Sequence, residues 1–394
     1  MGQEFDKNEN VGYIPYGRQS IDEDDIKAVT DVLRSDWMTQ GPKIKEFEDR
    51  FAEYCGVKYA VSVTSGTAAL HLACLAADIG KGDKLITSPI TFAASSNCAL
   101  YVGASPVFVD IDPETICLDV HKLKEYLAGG DADSARVVVP VHFAGLPCDM
   151  KAINKIAVDN GLIVIEDACH ALGATYPSGE RTGSCRYSDM TVFSFHPVKH
   201  IATGEGGMIT TNNPELYEKL MMLRTHGITK NVQNTEMEGN DYYYEMQMLG
   251  FNYRMTDIQA ALGISQLQKI DRFIEKRKAI ADQYNKAFKE LEDHIVLPSY
   301  SKDHAWHLYV IQLRQNNRDE VFSKLRERGI GVQVHYIPVH FHPYYRNRFA
   351  FKEGDYPAAE KYYAECLTLP VYPGMTDNDI KKVVAAVREC QHVK

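Results

Sequence analysis

Between residues 59 and 211 the chain repeats one theme: a β-branched run, a turn of small or polar residues, then apolar residues at helical spacing. YAVSV leads into TAALHLACLAA, KLITS into FAASSNCALYV, and RVVVPVHF into MKAINKIAVDN; VFVDI, LIVIED, MTVFSF and GMITT are further strand-like runs. Continuous apolar strands separated by amphipathic helices suit a mostly parallel sheet covered on both faces, since each face must bury against a helical layer. The expected fold class is therefore α/β. In such sheets the chemistry gathers on loops beyond the carboxyl ends of the strands.

Two helices are expected ahead of the sheet. In SIDEDDIKAVTDVLRS, Ser20 reads as the cap, Glu23 completes a capping box, and Ile26, Val29 and Leu33 share a face. KIKEFEDRFAEYCG repeats the pattern with Ile44, Phe47 and Phe51 and stops at Gly56. After the polar, tyrosine-rich NDYYYEMQML comes a long amphipathic stretch from Met255, and then WHLYVIQL, VFSKLRERG, GVQVHYIPV and DIKKVVAAVREC, which read as a smaller α+β unit. The expected division is a large α/β domain over 20–255 and a linking helix plus small α+β domain over 256–394, with segment 1–19 packing near the active site.

A formal charge of −10, from 43 basic and 53 acidic residues, argues against nucleic acid or an anionic membrane surface as partner. The N-terminus shows no basic start followed by an apolar run, and no segment is apolar for long enough to span a bilayer. Nine scattered cysteines without a C-x-x-C pair fit reduced thiols in a cytoplasm better than disulfides or a zinc ribbon.

FSFHPVKHIATGEGGM places Lys199 at the end of an apolar strand, between His196 and His200 and ahead of a glycine-rich turn. A phosphate loop, a metal cluster and a reactive lysine all compete to explain it. Asp167 ends LIVIED, 32 residues earlier; by itself the pair reads as a plain ion pair. Upstream, Ser65, Gly66 and Thr67 follow a strand and open a helix, so backbone N–H groups and hydroxyls can meet an anion at the positive helix end. Phe92, just past another strand, can cover a flat ring or simply fill the core. Pyridoxal phosphate needs these types together: a lysine for the Schiff base, a carboxylate on the pyridine nitrogen, an aromatic face and a phosphate cradle.

The ordered blocks SGTAAL, TFAASSN, EDACHALGA, FSFHPVKHIATGEGGM and FNYRMTDIQAALG resemble the DegT/DnrJ family of sugar-nucleotide aminotransferases from about residue 12 onward. The resemblance implies an aspartate-aminotransferase-like large domain of pyridoxal phosphate fold type I. It makes Lys199 the covalent anchor and Asp167 the partner of the pyridine nitrogen, with Phe92 stacked on the ring. Ser65, Gly66, Thr67 and Ser194 would hold the phosphate, and His170 would pack by the ring and its hydroxyl. Asn252 would reach the phosphate from the second subunit of a homodimer with shared active sites, with Arg254 beside it facing the substrate. The implied reaction moves an amino group from glutamate to the 4-keto group of a UDP-linked 4-keto-6-deoxy N-acetylhexosamine, as in pseudaminic acid biosynthesis. Other keto-sugars, transfer at the 3-position, and a sugar dehydratase are the alternatives; dehydratases of the family replace the lysine with histidine, which Lys199 does not. A pyridoxal phosphate-binding transcriptional regulator would need a DNA-binding domain, for which the sequence shows no candidate.

Of the histidines and tyrosines in GVQVHYIPVHFHPYYR, the resemblance points to His335 and Tyr336 as substrate contacts, and no metal is expected there. Arg388 reads as a surface helix charge, and His142 as a core histidine.

Overall fold

The computed structural model describes residues 12–130, 132–230, 242–315 and 318–391. Residues 1–11 of the N-terminal segment, and Asn240 and Asp241 of the tyrosine-rich stretch, therefore lie outside the described residues. Seven strands build the main sheet: β1 (Tyr59–Val63), β2 (Lys84–Thr87), β3 (Ser105–Phe108), β4 (Ala135–Val139), β5 (Ile163–Asp167), β6 (Met190–Ser194) and β7 (Gly207–Thr211). Their order is β1-β7-β6-β5-β4-β2-β3, and only β7 runs antiparallel to its neighbours. The sheet is thus mostly parallel, as the alternation requires. Its strands are buried on both faces, so they lack the polar alternation of a one-sided sheet.

The first helix, α1 (Glu23–Leu33), departs from the sequence reading. Its cap is Asp22, which accepts from the N–H groups of Asp24 and Asp25, while Asp25 reaches back to the Asp22 N–H at 3.0 Å. The Ser20 carbonyl instead accepts from Gln266 at 2.9 Å, and Lys269 pairs with Asp22 and Asp25. These polar ties turn Asp25 and Val32 inward and leave Ile26 and Leu33 about half exposed, at 51% and 54%. Helix α2 (Pro42–Cys55) matches expectation, burying Phe47 and Phe51 and ending at Gly56 with φ +70°.

Helices α3 (Gly66–Ala76), α4 (Ala94–Tyr101), α5 (Val120–Ala128), α6 (Met150–Asn160) and α7 (Pro214–Arg224) fill the gaps between strands. A short ribbon, β8 (Ile228–Thr229) with β9 (Glu245–Met246), follows. The amphipathic stretch from Met255 is two helices, α8 (Asp257–Leu267) and α9 (Ile270–Phe288). Asp257, fully buried, accepts from the N–H groups of Gly41 and Lys43 at 2.8 and 3.0 Å, so its charge sits at the positive end of α2.

The C-terminal part has its own antiparallel sheet of β10 (Ile295–Val296), β11 (Tyr309–Leu313) and β12 (Cys366–Leu369). Around it lie α10 (Arg318–Glu327), α11 (Pro343–Phe349), α12 (Pro357–Glu365) and α13 (Asp377–Cys390). A separate core of Trp306, Tyr309, Ile311 and Leu367 joins Tyr284 and Phe288 of α9 to Val383 of α13. GVQVHYIPV forms no strand; it meets the small sheet at an isolated bridge, Gln333 to Thr368, and through the His335 side chain.

Candidate active site

Strands β5 and β6 run parallel side by side and end at the two reactive groups. Asp167 is the last residue of β5. Its backbone N–H donates to Pro140 O at 2.9 Å and its carbonyl accepts from His142 N at 3.1 Å, which leaves little freedom in where the side chain starts. The carboxylate accepts from Ser95 Oγ at 2.6 Å and from the Cys169 N–H at 3.1 Å. Alternation along the strand sends the preceding Glu166 to the other face, where it is fully buried. There Tyr176, Ser188, Thr191 and His142 all donate to it. Because the Cys148 N–H donates to His142 Nδ1, the imidazole proton facing Glu166 is on Nε2. This network holds the Glu166 carboxyl below the usual range against a large burial penalty.

Lys199 sits on the loop after β6. At the loop's base the Phe195 N–H donates to Gly206 O, and the Thr203 N–H donates to Phe195 O, both at 2.9 Å. Phe195 is fully buried against Phe47 and Phe51. His200 Nε2–H donates to Ala305 O at 3.1 Å and ties the loop to the C-terminal part. The half-buried Lys199 amine has no hydrogen-bond partner among the described residues. Burial lowers its pKa, with Cys169 and Asp167 pulling the other way.

The amine and the carboxylate line one cavity of about 410 Å³. Ser65, Gly66, Thr67, Phe92, His170, Ser194, His335 and Tyr336 line it too, so ten of the twelve candidate residues converge. Ser65 caps α3 by accepting the Ala68 N–H at 3.1 Å; the Gly66 and Thr67 N–H groups precede any intrahelical acceptor. A Cβ on Gly66 would lie 2.8 Å from Ser194 Cβ, and one on Gly207 would lie 2.5 Å from Ser65 O. Two glycines thus bring β6 and β7 close beneath this turn. Phe92 is 62% exposed at the mouth, a wall of the cavity and not a core residue.

The opposite wall is made of imidazole and phenol. Tyr336 Oη lies 3.0 Å from His170 Nε2, and the His170 ring packs on His307 at 4.4 Å. Burial, reinforced by the charge of Lys199, pushes His170 and His307 far below the usual imidazole range and His335 down to about 3. Burial raises the Tyr336 phenol and keeps it protonated. His335 Nδ1 is 2.8 Å from Thr368 Oγ1.

Two candidates lie elsewhere. Asn252 is exposed and Arg254 half buried on the segment after α7, where Asn252 bridges Thr225; neither lines this cavity. Arg388 donates to Ala287 O and Glu290, bracing α13 on α9. His340 bonds Glu360 at 3.1 Å, away from His335, and no three His, Cys, Asp or Glu side chains group as a metal site among the described residues. Sequence reasoning missed Thr91, Ser95, Cys169, Glu205 and His307 in the lining, and placed no single residue of the N-terminal segment there, where Tyr16 stands. Thr91 and Ser95 stand at i and i+4 around Phe92, a spacing that any helix start shows and that singles out neither.

The donor set fits pyridoxal phosphate. There is an amine without a partner among the described residues, a braced carboxylate, an aromatic wall, and hydroxyls around a helix N-terminus whose first N–H groups can meet an anion. His170 Nδ1, buried in the same wall, has no partner among the described residues.

Comparison with known proteins places the chain. Bacillus subtilis spore coat polysaccharide biosynthesis protein SpsC is 43% identical over 384 residues, covering 96% of this chain and 97% of SpsC. Helicobacter pylori PseC, an aminotransferase involved in the biosynthesis of pseudoaminic acid, superposes with a TM-score of 0.88 at 30% identity, covering 96% of this chain and 98% of PseC. The PLP-form of the putative sugar aminotransferase Spr1654 from Streptococcus pneumoniae also gives 0.88 at 30% identity, covering 97% and 100%. A family profile spans residues 19–388, and the chain belongs to the DegT/DnrJ/EryC1/StrS aminotransferase family.

Proposed function

We propose that this pyridoxal phosphate-dependent aminotransferase moves an amino group from glutamate to the 4-keto carbon of a UDP-linked 4-keto-6-deoxy N-acetylhexosamine. The carrying observation is that the Lys199 amine, without a partner among the described residues, and the braced Asp167 carboxylate open into one cavity, with the Ser65–Thr67 turn at its edge. PseC and SpsC are both named for carbohydrate pathways, which supports a sugar acceptor.

When bound, pyridoxal phosphate supplies an electron sink for the pair left on a carbon that loses its proton. The residues of the chain then divide the work. Lys199 anchors the cofactor; once released, its amine takes the proton from the donor's α-carbon in one half-reaction and gives a proton to the sugar's C4 in the other. Its lowered pKa supplies the neutral base. Asp167 accepts from the ring N–H, Phe92 covers one face, and His170 stands by the ring hydroxyl. Ser65, Gly66, Thr67 and Ser194 hold the phosphate, and His335 and Tyr336 contact the sugar nucleotide.

Both substrates are anionic, yet no arginine among the described residues lines the cavity. Arg254 makes no ion pair among the described residues, which supports its service, with Asn252, to the site of a second copy in a homodimer. The proposed division into 20–255 and 256–394 gives the first part the cofactor slot and the second most of the substrate wall. No helix among the described residues is long and apolar enough to cross a membrane, and a cytoplasmic location is part of the proposal.

The test supplies cofactor-loaded enzyme with glutamate and the UDP-4-keto sugar, and follows keto acid and aminated sugar nucleotide by mass spectrometry. Equal amounts of both are expected. Keto acid without aminated sugar, or loss of water from the sugar, refutes transfer; a borohydride-fixed label away from Lys199 refutes the anchor.

A further inference from the structure

The turn that carries Phe92 also carries two hydroxyls that no role above uses. Thr91 and Ser95 are buried, at 2% and 0% exposure, and both line the cavity. Among the described residues Ser95 Oγ has three polar neighbours: Asp167 Oδ2 at 2.6 Å, Thr91 Oγ1 at 2.7 Å and Phe92 O at 3.3 Å. A hydroxyl owns one proton, and a carboxylate at 2.6 Å is a far better acceptor than a carbonyl at 3.3 Å. Ser95 therefore donates to Asp167, and Thr91 donates to Ser95. The direction of both bonds follows from the geometry alone.

The Asp167 carboxylate turns about a broad, two-fold torsion, so backbone pinning does not decide where its oxygens point. The Cys169 N–H holds Oδ1 and Ser95 holds Oδ2. Because Ser95 belongs to the turn that presents Phe92, its bond to Asp167 also fixes the carboxylate relative to the ring platform. A flat cofactor gripped at its edge by one and on its face by the other needs that relation to be constant.

We propose that Ser95, oriented by Thr91, is a positioning residue that aims the Asp167 carboxylate at the cofactor's ring nitrogen. The inference rests on the assignment of Asp167 above, but not on Lys199. Its test uses pyridoxamine phosphate, which binds without a covalent link, so a wrong anchor assignment would leave the result readable.

The full-length protein is stripped of cofactor and titrated with pyridoxamine phosphate, following cofactor fluorescence. Ser95→Ala should weaken binding about 10-fold, the loss of one charge-assisted hydrogen bond, and Thr91→Val about 3-fold. In the Asp167→Ala background, adding Ser95→Ala should cost nothing more, since the group it aims is gone. A purely structural serine would lower affinity by the same factor in both backgrounds, and that result overturns the proposal. So does a Ser95→Ala affinity within about 2-fold of the parent, well short of the roughly 10-fold loss expected of such a bond. Should Ser95→Ala fail to fold, Thr91→Val with and without Asp167→Ala reads the same cycle by the same criterion.

Discussion

A methyl group added at residue 66 tests the phosphate cradle directly. In Gly66→Ala the new Cβ would stand 2.8 Å from Ser194 Cβ and 3.3 Å from both Ser194 Oγ and Cys169 Sγ. Ser194 cannot retreat easily. It is the last residue of β6, in register with Gly207 of β7, and Gly207 itself leaves no room for a Cβ against Ser65 O. The backbone at residue 66 is helical, so the cost is steric and not torsional. Overpacking of this kind costs about 1–3 kcal/mol. The Gly-to-Ala gain in helix propensity offsets about 1 kcal/mol of it, so the stripped protein should lose no more than about 2 kcal/mol of stability. Cofactor binding has no such offset, because Ser194, which the methyl would displace, is itself one of the proposed holders of the phosphate. A penalty of about 1–3 kcal/mol there corresponds to roughly 5- to 150-fold weaker binding. Urea unfolding of the stripped protein and titration with pyridoxal phosphate separate the two effects. Cofactor affinity within about 2-fold of the parent, in a folded variant, would show that the anion does not lie against this turn.

Lys199→Ala should abolish transfer while leaving the stripped protein as stable as the parent or more so, since a half-buried amine without a hydrogen bond is lost; thermal unfolding checks this, and a fall of many degrees would contradict it. Asp167→Asn should still capture cofactor but turn over about 10²-fold more slowly or worse, because an amide does not stabilise a protonated ring; unimpaired kcat refutes the electron-sink role. His304 is buried, stacked on Trp306 at 4.0 Å, and its Nδ1 accepts the Trp306 N–H at 2.8 Å, so burial holds it neutral down to about 3. Its folded pKa lies below the unfolded value, so its contribution is present above about pH 6.5 and falls away as pH drops toward 3. Between pH 7.5 and 5.5 that is about 1.4 kcal/mol, which urea unfolding should show disappearing in His304→Leu.

The strands and the residues at their ends were legible in the sequence for a physical reason. Two-sided burial writes LIVIED and MTVFSF as apolar runs, so the polar residue that ends each run, Asp167 or Ser194, marks where the chain leaves the sheet. Helix α1 was harder. Four acidic residues in a row, Asp22 to Asp25, offered several caps, and the cap is Asp22, which pairs with Lys269 just past α8, a contact no local pattern reveals. Ser95 and Thr91 look in sequence like ordinary small residues of a buried helix; what distinguishes them is a carboxylate 72 residues away. His307 belongs to a segment held by Gly145, where a Cβ would lie 3.1 Å from the His307 nitrogen, and by two bonds from the buried Arg277 guanidinium to the Trp306 and His307 carbonyls. Such placements depend on contacts between residues far apart in the sequence and leave no periodic trace.

The wall built by those distant contacts has a common electrical character. His170, His200, His307 and His335 all have their pKa values depressed, and in each the leading cause is burial. Lys199 adds to the effect in all four, and Arg277 adds to it at His200 and His307. Linkage makes this mutual: a cation at any of the four rings would repel an ammonium at Lys199, and the ammonium likewise opposes charging of the rings. Neutral imidazoles supply hydrogen-bonding capacity near the amine without a competing charge. A lysine that must both lose and regain a proton near neutral pH is served by polar, uncharged neighbours and one fixed carboxylate, and that is the environment the chain assembles around it.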